Sequence, residues 1–540
     1  MTDQNTPTLY DDIRYPARSF EYTHPNRLAT VAALNGMTPA PIAHCRVLEL
    51  GCGVCGNIIP MAYQNPESQF VGIDLSGEAI AAGQHRITAL GLRNLSVHHL
   101  DILDINDQFG RFDYIIAHGV YSWVPAPVRQ KILAISKQLL NSQGVSYISY
   151  NAHPFSHMRD MVRDMMLFHT REMTGSREKI DQARGIAKFI TEGSDENSIH
   201  GRVMRAQNNR IEGIYDELLF HDDLNESAEA FLLHKFVEAA AQHGLQYLGD
   251  VDYDRQDMSK YSEVVRSILQ TFPPEALMLR DQYQDFIEGV GFRRTLLCRD
   301  DVELRRTPPV DFVKWFFLSM PAKPVSENDN SENNKSKNDK SQNDKSEKLA
   351  SEELNYSDLP PHKMLDSLPA NNEMVVEGVS PLADPVLHCL RDAWPRSLTF
   401  NELTEGIFET LGPEVNVERR ELVIEELCDL LARAARRGDI KLRFDRPSVS
   451  TIVSETPEAS LVARLQSQAG EIVTNLLHSM VILENAMSRQ FLIKVDGTRT
   501  IDELQAEVDR LSRSNPDGSP ESPDVMSLLQ KFAKSALLVR

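Results

Sequence analysis

Glu49, Gly51, Gly53, Gly56 and Asp74 are the residues whose types and spacing best suit ligand chemistry. Gly51-x-Gly53-x-x-Gly56 follows a short apolar run, Val47-Leu48-Glu49-Leu50. It spells a strand–turn–helix in which glycines make a tight turn and let backbone approach a ligand. Two acids frame the turn: Glu49 inside the first strand, and Asp74 at the end of a second apolar strand, Gln69-Phe70-Val71-Gly72-Ile73. An acid at the second position accepts hydrogen bonds from ribose hydroxyls. Glu49 tolerates an ammonium group and sits badly beside a pyrophosphate, while the helix N-terminus after Gly56 favours a carboxylate. A nicotinamide or flavin nucleotide is the less favoured ligand class.

Those residues need elements to hold them, and an alternation of strands and helices supplies these. Gly77 to Leu90 reads as a helix and Leu95–Leu100 as a third strand, followed at once by Asp101-Ile102. Phe112–Ala117 is a fourth strand. Val128, Ile132, Leu133, Ile135, Leu139 and Leu140 share a helical face, which Asn141-Ser142-Gln143-Gly144 ends before a fifth strand, Val145–Tyr150. The pattern predicts a doubly wound parallel sheet with ligands at the strands' carboxyl ends. Glu229 to Gln242 reads as a helix, Leu245–Val251 as a sixth strand and Phe292–Cys298 as a seventh. Residues 155–225 then form a helical insertion over the open end, as a substrate lid or as scaffolding.

Composition bounds the class. The chain has 540 residues, 41% hydrophobic and 25% charged, which suits soluble globular material in roughly two to four domains. It has no apolar run of about eighteen residues and hence no expected membrane span. The N-terminal Met1-Thr2-Asp3-Gln4-Asn5 lacks the basic and apolar regions of a secretory signal. Cys45, Cys52, Cys55, Cys298, Cys389 and Cys428 are scattered, which suits a reducing cytoplasm, the expected location. Cys52-x-x-Cys55 has no second pair to complete a zinc site, so no metal is expected. A net charge of −21 argues against general nucleic-acid binding.

Ser326 to Glu353 is Ser, Asn, Lys, Asp and Glu almost throughout. It cannot bury a core and reads as a tether between two folded halves, each expected to be stable alone. Beyond it, Thr399-Phe400-Asn401-Glu402 is a capping box opening a helix through Leu411. Val417 to Arg437 is a longer amphipathic helix, and Ile440–Phe444 a strand, in a winged-helix order. Arg433, Arg436 and Arg437 cluster at that helix's end; favourable charge on the helix dipole outweighs DNA contact as the reason. Asp496–Glu503 is a turn into a further capped helix.

The Val47–Gly56 block resembles motif I of class I S-adenosylmethionine (SAM) methyltransferases, an acid two residues before G-x-G-x-G. It departs at the third glycine: position 55 is Cys, and glycine falls at 56. More of the chain is similar to one family, the bacterial protein-lysine methyltransferases that modify outer-membrane proteins. Tyr15-Pro16, Thr23-His24-Pro25-Asn26-Arg27-Leu28, His118–Pro125, Tyr150-Asn151, Phe292–Cys298 and Asp496–Arg499 carry that likeness. A family Pro-Gly-Trp turn is replaced by Ala152-His153-Pro154-Phe155.

The resemblance implies an α/β class I methyltransferase domain with a seven-stranded Rossmann-like sheet, followed by a mainly helical, winged-helix-like half. The implied division is a cap segment (1–30), a SAM-binding core (31–154), a helical insertion with a regulatory region (155–320), a linker (321–358), a winged-helix-like domain (359–455) and a C-terminal domain (456–540). It also implies SAM contacts from Glu49, Gly51, Gly53 and Asn57, from Asp74, Leu75 and Ser76 after the second strand, and from Asp101, Ile102 and His118. Asp101 would bind the adenine amino group, with turn capping as the bland alternative. Tyr121, Trp123 and Tyr150, with Tyr15 folded across, would line the acceptor lysine, ordinary packing being the alternative for each. For His118, cofactor contact is favoured over a general base.

The reaction so implied is methyl transfer to lysine of a protein partner, an outer-membrane protein precursor. A small-molecule or O-methyltransferase, or a SAM-sensing regulator, is the alternative. Composition and motifs leave the acceptor's identity, the number of methyl groups and the oligomeric state open.

Overall fold

In the computed structural model, which describes residues 17–320, 380–412, 417–483, 485–513 and 523–539, the first half is built on one sheet. Its strands are β1 (Arg46–Leu50), β2 (Gln69–Asp74), β3 (Leu95–His99), β4 (Phe112–Ala117), β5 (Leu140–Asn151), β6 (Leu245–Asp250) and β7 (Phe292–Arg299). They run in the order β3-β2-β1-β4-β5-β7-β6. The first five are parallel, and β7 is antiparallel to both β5 and β6. The near-continuous apolar runs of β1 and β4 are buried on both faces, as a parallel sheet requires.

Helices cover the sheet. Before β1 comes α1 (Pro25–Leu34); α2 (Ile58–Gln64) joins β1 to β2, α3 (Gly77–Ala89) joins β2 to β3, and α4 (Ala126–Gln138) joins β4 to β5. The insertion is three helices, α5 (Ser156–Thr170), α6 (Ser176–Gly193) and α7 (Ile199–Gly213), with a small core of Val162, Met166, Ile180, Met204 and Ile211. Asp223 is fully buried between Arg159 (2.9 Å) and Arg210 (2.8 Å). Burial opposes its charge, but the two guanidiniums outweigh that and hold the carboxyl well below the usual range.

Two boundaries differ from the sequence pattern. The helix expected from Glu229 is α8 (Leu233–Gln242), because Glu229 and Phe231 first donate backbone N–H groups to Ser122 and Asn151 carbonyls. Residues 141–144, expected to end α4, already belong to β5. There the β4–β5 register shifts between Phe112 and Tyr114, and Asn141 Nδ2 donates to Asp113 Oδ1 at 2.7 Å. Two further helices, α9 (Glu263–Leu269) and α10 (Leu277–Glu288), precede β7.

The second half begins before the tether rather than after it. Strand β8 (Phe317–Ser319) pairs antiparallel with β9 (Lys441–Arg443). One apolar cluster joins Leu34, Tyr253, Phe312 and Phe316 to α11 (Ala383–Ala393), α12 (Phe400–Leu411) and α13 (Val417–Arg436). Two halves separated at the tether would each leave part of that cluster in water. The tether itself, Ser326–Glu353, lies outside the described residues. The expected capping box is present: Thr399 N donates to Glu402 Oε2 at 2.7 Å, and Glu402 N to Thr399 Oγ1 at 3.1 Å. Arg433 pairs with Asp429 and Arg437 with Asp439.

The last part packs α14 (Leu461–Ala469), α15 (Ala486–Lys494), α16 (Ile501–Arg513) and α17 (Val525–Lys534) around Phe491, Leu504, Val508 and Leu529. It also contains a hairpin of β10 (Ile472–Thr474) and β11 (Met480–Ile482). No helix among the described residues is long and apolar enough to cross a membrane.

Candidate cofactor site

The glycine turn closes over the end of β2. Gly51 and Cys52 both donate backbone N–H groups to the Ile73 carbonyl, at 2.8 and 3.1 Å. Gly51 has φ +71°, and a Cβ there would stand 2.5 Å from Val120 Cγ2. Gly53 has φ +52°, and its Cβ direction meets nothing within 4 Å. That open side is where a ligand can approach backbone.

The departure at position 55 is conformationally silent. Cys55 has φ +63°, the left-handed geometry a third glycine would supply, and its Sγ fits because Gly83 on α3 lacks a side chain. Gly56 answers to a different need. A Cβ there would collide with Arg18 N at 2.7 Å, so residues 17–24 run across the turn as a strap.

Glu49 is the electrostatic centre. It is buried, its Oε1 accepts from Asn57 Nδ2 at 2.7 Å, and its Oε2 is buried with no partner. Burial pushes its carboxyl up to about 8, against the Asn57 bond and with help from the charge of Asp74. Asp74 accepts from Gly53 N at 2.7 Å and from Ser76 N at 2.8 Å, so one carboxylate ties the turn to the start of α3. Ser76 caps α3 through Ala79 N, and Leu75 is exposed beside it. Asp101 accepts from Leu103 N at 2.9 Å, capping a short turn at Ile102–Asp104, with Ile102 half-buried.

His118 follows β4 and lies under the strap. Its Nδ1 is 3.1 Å from Tyr147 OH and 3.0 Å from Ser149 Oγ, and Phe20 covers the ring at 4.2 Å. Burial, then the charge of Arg294, lowers it to about 3, so the imidazole stays neutral and is a weak proton acceptor. Tyr22, Tyr147 and Phe292 complete an aromatic cluster around it.

Of the four residues expected at the acceptor side, Tyr121 and Tyr150 lie side by side, their ring centroids 6.2 Å apart. Tyr121 and Tyr150 are buried, packed with Phe231 and Phe236; Tyr150 OH is 3.0 Å from Thr295 Oγ1. Both read as packing in this geometry. Trp123 is half-buried, with Arg159 over its ring at 5.7 Å. Tyr15 lies outside the described residues. Sequence reasoning missed Phe20, Tyr22, Tyr147 and Ser149, which the strap and β5 bring to His118. The adjoining Thr23–Leu28 block is the nearest signal in the sequence. His153, His157 and Asp160, at the start of α5, hold donor atoms within 4.8 Å of one another, and the two imidazoles stack at 3.8 Å.

A glycine turn with an acid on each flanking strand, at the carboxyl edge of a β3-β2-β1-β4-β5-β7-β6 sheet, defines the class I methyltransferase fold and site. Residues 42–189 match the family described as "Methyltransferase domain", 215–299 the "Predicted methyltransferase regulatory domain", and 455–515 the "PKMT, C-terminal winged helix domain". The winged-helix match falls on the last part of the chain, C-terminal to the 359–455 stretch whose helix–strand order suggested such a unit. An uncharacterized protein of Rickettsia prowazekii is 35% identical over 249 residues, 46% of this chain and 100% of its own length. Another from that organism is 37% identical over 324 residues, 59% of this chain and 58% of its own length. PKMT2 from Rickettsia typhi, solved in complex with AdoHcy, superposes with a TM-score of 0.79 at 27% identity, covering 97% of this chain and 100% of that one. The chain belongs to the family of these proteins and carries methyltransferase, regulatory and PKMT C-terminal winged helix domains.

Proposed function

We propose that this chain is a SAM-dependent methyltransferase that methylates lysine side chains of a protein acceptor, an outer-membrane protein precursor. The observation that carries the cofactor reading is Glu49, a buried carboxyl with one orphaned oxygen beside an open glycine turn. An orphaned buried oxygen is costly unless a ligand completes it, and the ammonium of SAM is a fitting partner. The AdoHcy complex of the Rickettsia typhi protein supports the same ligand class. In this assignment Asp74 takes the ribose, Asp101 with Ile102 the adenine, and Gly51, Gly53, Asn57, Leu75, Ser76 and His118 shape the remaining contacts.

When bound, SAM supplies an electrophilic methyl group on a sulfonium. The protein's part is to align an amine with it and to favour the deprotonated lysine, whose ordinary pKa is about 10.4. Phe20, Tyr22 and the neutral His118 form an aromatic wall whose ring faces tolerate a cation, as the Arg294 guanidinium 4.6 Å over Tyr22 illustrates. His118 is too weak a base to take the proton, so the lysine ammonium would give it up to solvent and attack as the neutral amine. The PKMT winged-helix match and the size of the second half favour a protein acceptor over a small molecule.

Labelled SAM incubated with cell-envelope proteins and this enzyme should place label in methyl-lysine after acid hydrolysis. Label confined to small molecules, or to methyl ethers or methyl esters, overturns the acceptor assignment. No turnover despite tight SAM binding would make the chain a sensor.

A further inference from the structure

The tip of the β10–β11 hairpin reaches into the cofactor site of the other half. We infer that His478, at that tip, is a positioning residue for Glu49: it fixes Asn57, which in turn presents Glu49 to the ammonium group of the ligand. This inference rests on the reading of Glu49 given above and extends it to the winged-helix region, which then takes part in cofactor recognition.

Asn57 is saturated. Its Oδ1 accepts from Phe20 N at 3.0 Å and His478 Nε2 at 2.9 Å, while its Nδ2 donates to Glu49 Oε1 at 2.7 Å and Thr23 Oγ1 at 2.9 Å. Thr23 in turn donates to the Phe20 carbonyl at 2.8 Å. This pattern fixes the amide orientation, because a flipped Asn57 would set its NH₂ against the Phe20 N–H and turn an oxygen towards Glu49. His478 must therefore carry its proton on Nε2. Its Nδ1 is buried without a partner, which suits a neutral ring.

The hairpin tip is built to deliver that ring. Asn475 Oδ1 accepts from Leu477 N at 3.0 Å and Ser479 N at 2.9 Å, closing a tight loop in which His478 has φ +63°. A left-handed histidine is unfavourable by itself and persists when its surroundings impose it. Two flanking bonds fasten the loop to the strap: Thr474 Oγ1 to Ser19 Oγ at 3.0 Å, and Ser479 Oγ to Glu21 Oε2 at 3.0 Å. His478 is 1% exposed, and its ring faces that of His24 at 5.1 Å. Through Asn57, the position of one oxygen of Glu49 depends on a residue 421 positions away from that amide.

The test compares two ligands on the full-length protein by calorimetry. S-adenosylhomocysteine carries the amino-acid head; 5′-methylthioadenosine lacks it. His478→Ala should weaken S-adenosylhomocysteine by about threefold to tenfold and leave methylthioadenosine unchanged. His478→Asn, which tolerates the left-handed backbone but is too short to reach Asn57, should behave alike if the alanine variant folds poorly. His478→Gln, with an amide N–H near the position of Nε2, should restore affinity. Equal losses for both ligands, or no loss, overturn the inference. Glu49→Gln separates the two readings: if it spares S-adenosylhomocysteine, the assignment of Glu49 fails; if it weakens that ligand while His478→Asn does not, only the role of His478 fails.

Discussion

Asn57 Nδ2 lies 2.7 Å from Glu49 Oε1, which leaves the second oxygen of Glu49 buried and unpaired. With its carboxyl held at about 8 by burial, Glu49 is mostly protonated at neutral pH, whereas an ordinary glutamate ionises near 4.5. The sign follows: the ligand-free protein loses stability as pH rises from about 4.5 to about 8, because the unfolded chain ionises first. A bound ammonium reverses the preference. Cofactor binding near pH 7 should therefore release close to one proton, seen as a buffer-dependent binding enthalpy. Glu49→Gln should abolish the release, and a wild-type enthalpy independent of buffer contradicts the assignment.

Asp74 has two tasks, since its oxygens already accept from Gly53 N and Ser76 N. Removing a charged acceptor costs roughly 1.5–3 kcal/mol, so Asp74→Ala should lower S-adenosylhomocysteine affinity by about ten- to a hundredfold. Asp74→Asn should rescue little, because its NH₂ would face one of those backbone donors. Titrations showing the Asn variant near wild type would mean that the turn does not depend on both oxygens.

Gly51 and Gly53 should fail differently. Alanine at 51 meets Val120 Cγ2 at 2.5 Å and keeps a positive φ, so it should destabilise the fold by at least about 1–3 kcal/mol. Alanine at 53 enters open space with only the left-handed cost of about 1–2 kcal/mol. Its main effect should be on ligand affinity. Denaturant midpoints and ligand titrations on both variants check this, and a Gly53→Ala protein with unchanged affinity would remove backbone approach from the site.

The seven strands of the sheet were legible, β1, β2 and β4 most directly as short apolar runs, and the turn's glycines and acids sit where local sequence places them. The start of β5 was not, because residues 141–144 look like a helix stop. Contacts of loops and side chains between distant segments were not legible. Phe231 reads as part of a helix until its backbone is seen to donate to Asn151. Tyr121 and Tyr150 look like pocket walls by register, yet Phe231 and Phe236 cover them. His478 carries no local signal: its meaning depends on a hairpin tip meeting Asn57 across the molecule. Arg293 lies in a family block with no stated role, and the fold shows it fully buried between Asp285 (2.7 Å) and Asp250 (3.2 Å).

A chain shortened to residues 1–320 should not behave as an independent catalytic half. Shortening uncovers Leu34, Tyr253, Phe312, Phe316 and Leu318, which are buried against α11, α12, α13 and β9 in the intact protein. It also strips Glu21 of Lys441 at 2.7 Å, Arg443 at 3.7 Å and Ser479. Burial raises the Glu21 carboxyl, but those cations outweigh it and hold it at about 2. The pairing thus stabilises the intact chain above about 4.5 and is lost as pH falls towards about 2. Without it the strap loses its charge partner beside the glycine turn. The shortened chain should aggregate more readily and bind S-adenosylhomocysteine more weakly, by fluorescence or calorimetric titration. Wild-type affinity in a monodisperse shortened chain would show that the second half serves the acceptor alone.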